Sequence, residues 1–480
     1  MLPSISSTYT LFNDLRIAHF LIANFSINTT YLCSLTLSKV KDYVQSWSVD
    51  NISQDHQSED PMKQFLVQFK GKMRMQTNIQ STTIECINSI TKYIKKLADD
   101  TGTVAAVTSL DLRTHSFPHD ILLTWITRLG RLTSLGTEGG SVLNYKVAKV
   151  ISECCPHFDD LIISGLYGSF NGLTPSNPDY QANITDKDLA AFFQALRPNR
   201  LRRFQLIGMN RIEKRSITAL SVHATSLRSL RLGCLEPEAM TALGSLSGFA
   251  ALETFILEDR TQGRTYLDKQ ELKDVSTWIS NCKSLRDLSL HLRDALILAK
   301  EAFSGPDIRL TSFSIAYFFP ETESEWWTTL GSQTSLRNLT IGDPCDELEY
   351  HISSGLEESL CQLKSLASLK IDRYSVVNPH LLRRVASELP NLVELSFTDY
   401  PAAGEGSAAA ALTSFTQLRS LSIESDCGFT EKGIYDFITK LDPIKHKGLK
   451  IHFSRFGWSQ MSGTSLRRIG RYVEETLGGL

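Results

Sequence analysis

Residues 227–232 read Leu-Arg-Ser-Leu-Arg-Leu, residues 252–257 read Leu-Glu-Thr-Phe-Ile-Leu, and residues 285–290 read Leu-Arg-Asp-Leu-Ser-Leu. The shared phrase is apolar-x-x-apolar-x-apolar, and it decides the architecture because it keeps returning. Copies begin at Val107, Leu132, Phe158, Leu201, Leu227, Leu252, Leu285, Leu310, Leu336, Leu366, Leu392 and Leu418, with a degraded last copy at His446. The step is mostly 25 or 26 residues, and steps of 43, 33 and 30 follow positions 158, 252 and 336. Self-similarity at such a period marks a chain that stacks one supersecondary unit many times.

Inside each copy the second and third apolar residues are two apart, as on one face of a strand. Between copies the apolar spacing turns helical. Ile121, Trp125, Ile126 and Leu129 fit one helix face, as do Val147, Val150, Ile151 and Cys154, and Leu272, Val275, Trp278 and Ile279. Helix starts are marked by Thr185 and Asp188 at capping-box spacing, by Pro237 and Glu238, and by Thr430 and Glu431. Each unit therefore reads strand, turn, helix, return. One unit alone cannot bury its apolar faces, whereas stacked units bury them against each other.

These phrases resemble the leucine-rich repeat family, in its long helix-bearing form. They are similar to ribonuclease-inhibitor-like repeats and to the repeats of fungal F-box proteins, and the resemblance covers about three quarters of the chain. It implies an α/β solenoid, a horseshoe with a parallel inner sheet and outer helices. The family pattern carries Asn or Cys at position nine of the phrase, where the side chain ties the turns together. Here that column includes Gly140, Leu166, Met209, Leu235, Phe318, Tyr374 and Tyr400, so the Asn ladder is missing.

The ends and insertions set the domain boundaries. Residues 1–106 read as a capping helix (Leu11, Leu15, Ala18, Leu21) and one irregular repeat with a long insertion. Residues 107–453 are the repeats, and 454–480 hold an amphipathic capping helix through Leu466, Ile469, Val473 and Leu477. Gly168–Thr185 is rich in Gly, Pro and Asn and predicts a protruding loop. Met1-Leu2-Pro3 is too short to mark an F-box, and no F-box segment comes after it.

Composition excludes several classes of function. A formal charge of −2 gives no general attraction to nucleic acid or acidic membranes. Nine scattered cysteines without CxxC spacing fit a reducing compartment, cytoplasmic or nuclear. Ile17–Phe25 contains His19 and lacks a basic leader, so it reads poorly as a signal peptide. No nucleophile elbow, Walker loop, GxGxxG or HExxH appears. Gly136–Ser141 reads as a turn, the acidic run Asp343–Glu349 as a solvated loop, and His291 and His452 as ordinary exposed histidines. No cofactor, metal or catalytic residue is expected.

Positions three, five and seven alternate outward from each strand and are expected to line a concave face. With strands ~4.8 Å apart, the arc is roughly 60 Å, the size of a protein partner. On this face Arg203, Gln205 and Arg231 form one candidate contact group, whose alternative is an intramolecular ion pair. Tyr317, Tyr374 and Tyr400, with Phe318, Phe319, Trp326 and Trp327 near Tyr317, form the other, and these aromatics either anchor a partner or stack within the turns. The sequence thus predicts a monomeric, non-enzymatic scaffold that binds a protein and neither nucleic acid nor membrane. Resemblance to the F-box proteins implies substrate recognition for a ubiquitin ligase. The alternative is a stand-alone inhibitor or regulator of an enzyme or GTPase.

Overall fold

The computed structural model describes residues 108–112, 119–164, 184–208, 212–233, 235–258, 267–303, 308–316, 323–342, 354–372, 379–399, 410–425 and 431–454. Both predicted caps, the loop over Gly168–Thr185 but for its last two residues, the acidic run at Asp343–Glu349 and Thr430 lie outside the described residues.

Contacts divide the chain into two compact units, Met1–Leu227 and Arg228–Leu480. In the first, strands and helices alternate as β1 (Ser109–Leu112), α1 (His119–Ile126), β2 (Ser134–Glu138), α2 (Tyr145–Cys154), β3 (Asp160–Ser164), α3 (Asp186–Ala195), β4 (Arg203–Ile207) and α4 (Lys214–Leu220). In the second they run β5 (Ser229–Gly233), α5 (Pro237–Gly244), β6 (Thr254–Glu258), α6 (Lys269–Asn281), β7 (Asp287–His291), α7 (Ala295–Phe303), β8 (Ser312–Ala316) and α8 (Glu323–Gly331). They continue as β9 (Asn338–Ile341), α9 (Ser354–Gln362), β10 (Ser368–Ile371), α10 (Pro379–Glu388), β11 (Glu394–Asp399), β12 (Ser420–Ser425), α11 (Glu431–Lys440) and β13 (Lys450–Ser454).

Within each unit every strand pairs in parallel with the strand of the next repeat. Register matches phrase position to phrase position as far as β12, but the last copy, read from His446, is two residues out: Leu421 lies opposite Ile451 and not opposite Leu449. Leu230 lies opposite Phe255, Phe255 opposite Leu288, Leu288 opposite Phe313, and Phe313 opposite Leu339. Each unit is thus an α/β solenoid of leucine-rich repeats. The strand entrance is pinned by a shared acceptor. The carbonyl of Thr311 takes the N–H groups of both Arg337 (2.8 Å) and Asn338 (3.0 Å), and that of Arg286 takes those of Thr311 and Ser312.

Inward positions make the core. Leu230 is fully buried and Leu288 is 1% exposed, as their phrase positions predict, and burial of one such side chain contributes about 1.5–3 kcal/mol. Between β6 and α8 the core is aromatic. Phe255 meets the Trp278 ring edge-on at 5.0 Å, and Phe313 meets Phe303 at 5.1 Å and Trp326 at 5.6 Å. Trp326 and Trp327 are buried, so they belong to this core and not to an exposed aromatic group.

Helix faces need small corrections. In α1 Leu122, Trp125 and Ile126 are buried, while Ile121 is half-buried. In α2 Val147, Ala148 and Ile151 are buried, and Val150 and Cys154 sit at the margin. The face of α6 is buried as spaced, over Leu272, Val275, Trp278 and Ile279. A reciprocal capping box starts α6, where Asp268 accepts from Gln270 and Glu271 and Glu271 accepts from Asp268. At α3 the cap runs one way. Thr185 Oγ1 accepts from the Asp188 N–H and donates to Asp188 Oδ2 at 2.6 Å.

Helix α4 is capped from its neighbour. Its own N-cap residue, Glu213, makes no side-chain cap bond. Instead Asp186 Oδ1, in the first turn of α3, accepts from the N–H groups of Glu213 and Ser216, both at 3.0 Å. The Ser216 hydroxyl donates back to the Asp186 carbonyl at 2.7 Å.

The glycine-rich stretch after β2 is the expected turn. Gly139 and Gly140 have φ of 64° and 70°, a region that favours glycine. A Cβ on Gly140 would also stand 3.1 Å from Ile163 and from Ile184.

Candidate functional site

The pleat leaves positions three and five of each strand on the side opposite the buried core, joined by position seven where the strand is long enough. This outer side of the sheet is the candidate site, and its charged groups are largely satisfied within the molecule.

In the first unit a short chain of polar contacts crosses three strands. Ser134 Oγ on β2 donates to Asp160 Oδ2 on β3 at 3.0 Å. Arg203 Nη1 on β4 reaches the same oxygen at 3.5 Å. Arg203 is 47% exposed and its contact is long, so its guanidinium remains largely available to solvent. Gln205 is half-buried opposite Ile162. Asp159, one residue before β3, has its pKa raised by burial, against the pull of Arg202, Arg203 and His157.

In the second unit the face of β5 to β8 carries a tighter network. Arg231 Nη2 donates to both carboxylate oxygens of Glu258, at 2.9 and 3.2 Å. His291 Nδ1 stands 3.6 Å from Glu258 Oε1, and its Nε2 meets Ser314 Oγ at 2.9 Å. The Glu258 side chain is 9% exposed. Burial alone would push its pKa up. The His291 hydrogen bond and the Arg231 charge outweigh that and hold it down at about 2. His291 is therefore a half-buried member of a polar network, not the ordinary exposed residue expected; His452 is exposed as expected.

Past β8 the outer positions are mostly small hydroxyls. Thr340, Ser396 and Ser422 hold position five of β9, β11 and β12. On β10 Lys370 reaches Asp372 at 2.8 Å.

Sequence reasoning found Arg203 and Arg231 but not their carboxylate partners Asp160 and Glu258, nor the share of His291 and Ser314. Arg203 and Arg231 belong to different units. Tyr317, Tyr374 and Tyr400, with Phe318 and Phe319, lie outside the described residues. Among the described residues, no three or more His, Cys, Asp or Glu side chains are grouped to hold a metal ion, and no helix is long and apolar enough to cross a membrane.

No protein-family model matches the chain, and no curated protein matches it. Solved structures do. One is that of the yeast Rad7 and Elc1 complex, with TM-score 0.43 and 15% identity, over 82% of this chain and 92% of that one. Another is the leucine-rich repeat-containing protein LegL7 from Legionella pneumophila, with TM-score 0.35 and 14% identity, over 66% of this chain and 93% of that one.

Proposed function

We propose that this chain is a non-enzymatic scaffold that binds a protein partner through the outer side of its sheet. The observation that carries the reading is the division of labour along each strand. Positions four and six are spent on the core, while within each unit positions three and five form a row that the core does not use. A solenoid makes such a surface from many repeats, which suits a large partner better than a small substrate. The reducing compartment expected from the sequence, cytoplasm or nucleus, is supported by the thiols. Cys155 and Cys282 are free and buried, and burial pushes both pKa values up to about 12, which keeps them inert.

In this reading Arg203 is the leading contact. It exchanges a long internal contact for a carboxylate or phosphate of the partner, with Gln205 beside it. Arg231 is more committed to Glu258, and it offers a partner only what the network leaves over. Tyr317, Tyr374 and Tyr400, at the ends of their strands in sequence, complete the candidate set.

The finer reading is substrate recognition for a ubiquitin ligase, which rests on the resemblance of the repeats to those of fungal F-box proteins. Affinity purification of the full chain from its native cell, followed by mass spectrometry, tests both levels. Adaptor and cullin subunits in the eluate support the ligase role. A single stoichiometric enzyme replaces it with an inhibitor. With a partner in hand, Arg203→Ala is expected to weaken binding by about 1 kcal/mol or more, with the melting temperature unchanged. Unchanged affinity on substituting Arg203, Gln205 and Arg231 moves the site off the sheet.

A further inference from the structure

On the outer side of the sheet Arg203, Arg231 and Lys370 have internal partners, but several basic residues at the strand entrances of the second unit do not. Arg309 lies in the turn leading into β8, and Arg337 sits one residue before β9. Lys447 lies in the turn before β13, and Lys450 is that strand's first residue. All four are exposed, and none forms an ion pair among the described residues. Basic residues with partners also lie here: Arg228 with Glu253 before β5, and Lys364 with Glu388 before β10.

Among the described residues the same edge presents one fully exposed large apolar side chain. Ile444 is 86% exposed, beside Lys445 and Lys447. Its turn is held in place by Asp442, whose Oδ1 accepts from the N–H groups of Ile444 at 2.9 Å and Lys445 at 3.2 Å. Those hydrogen bonds are also what lower the Asp442 pKa. His446 Nδ1 contacts the Asp442 carbonyl at 3.0 Å, and His446 is buried beneath the turn. An isoleucine displayed this way is a fixed apolar contact, not a frayed end.

We infer that the strand-entrance edge of β8 to β13 docks an extended acidic polypeptide segment that carries an apolar residue onto Ile444. This deepens the scaffold reading, on which it rests, by naming a surface and the chemistry of what it takes. Dimensions agree. Arg337 and Lys450 are four strand spacings apart, about 19 Å, which an extended segment of roughly six residues spans. Charge complementarity supplies attraction and register, and burial of Ile444 supplies the apolar contact. A nucleic acid would meet the cations but would leave Ile444 unused.

The probe is a fluorescein-labelled peptide of about twelve residues, Glu and Asp throughout with one central Leu, titrated with the full chain by anisotropy. Saturable binding is expected, weakening as salt rises. In Arg309→Glu/Arg337→Glu/Lys450→Glu the Kd should rise at least ~10-fold, and in Ile444→Ser a few-fold. Lys149→Ala, on the exposed side of α2, should bind as the wild type does, and circular dichroism should match in every variant. The inference is overturned if the peptide does not bind, if the triple variant binds equally well, or if an oligo-dT of equal charge binds as tightly and indifferently to Ile444→Ser. A native partner retained by the triple variant sinks this edge and leaves the scaffold reading standing. Absence of any partner on the wild type sinks the scaffold reading itself.

Discussion

Strands β5 to β8 and strands β9 to β10 perform the same task with different reach. The first four are five residues long and extend to position seven of the phrase, while the other two stop at position six. Glu258 and His291 both stand at position seven. The Arg231–Glu258–His291 network uses this added position, which β6 and β7 reach. After β9 the chain closes down at Gly342, whose N–H donates to the Ile315 carbonyl at 2.6 Å. A Cβ there would stand 2.7 Å from the Ala316 side chain. Beneath the longer strands lies the aromatic core of Phe255, Phe303, Phe313 and Trp326, and beneath the shorter ones lie Leu339, Ile341, Leu369 and Ile371. One extra residue per strand thus gives β6 and β7 the position at which Glu258 and His291 meet.

The largest effect should come from the core. Phe313→Ala is expected to cost about 3–5 kcal/mol in urea unfolding, and Leu369→Ala less, about 2–3, because less volume is removed. A reversed order would show that the aromatic cluster is no better packed than its neighbour. Next comes the network. Arg231→Ala leaves the Glu258 carboxylate nearly buried without its cation and should cost on the order of 2–3 kcal/mol. If the double variant Arg231→Met/Glu258→Leu recovers most of the loss, the cost came from an unpaired charge and not from a special contact.

Acid gives a related measure. The folded Glu258 pKa of about 2 lies below its ordinary value of 4.5, so its stabilisation is complete above that value. It should be lost as pH falls from about 4.5 toward 2, by roughly 2–3 kcal/mol, and Glu258→Gln should abolish this part of the pH dependence. A wild type and variant with parallel acid curves would mean the network contributes nothing. Gly342→Ala should cost less, about 1–2 kcal/mol, because Ala316 must move to make room. A neutral result would show that the chain has slack where the strands shorten. Lys370→Ala, at the exposed pair on β10, should have the smallest effect of the set, under about 0.5 kcal/mol. A loss as large as that of Arg231→Ala would erase the distinction between the two faces.

The repeat was legible because it is redundant. Every copy of the phrase leads into a strand, although the degraded one before β13 was set two residues out of register. No single copy had to be read correctly. The site was less legible because sequence columns were read one at a time. Asp160 and Arg203 share position three on adjacent strands, and Glu258 and His291 share position seven, so both pairings stood within columns. Arg231 and Glu258 do not share one. Arg231 lies opposite Ile256, and its guanidinium crosses diagonally to the residue two further along. Such a contact depends on side-chain length and strand twist, which a column does not record. Position two, with Arg337, was not read as a column at all, because it precedes the alternation that defines a face, and Lys450, opposite Ser420, belonged to a copy set two residues out of register. The tryptophans misled for another reason. Nearness in sequence to Tyr317 placed them with the strand ends, while helical spacing turns Trp326 and Trp327 into the core.

Asp186 ties the order of assembly to the order of synthesis. Its carboxylate completes the start of α4, yet it is made 30 residues before the N–H of Ser216 that it receives. When the segment of α4 leaves the ribosome, the acceptor that ends its fraying already stands on a finished neighbour. The reverse dependence is weaker, since α3 has its own Thr185 cap and does not wait for α4 to be made. A helix whose first turn is closed by an earlier one gains its stability as it docks, so this part of the chain favours growth from the amino end toward the carboxyl end.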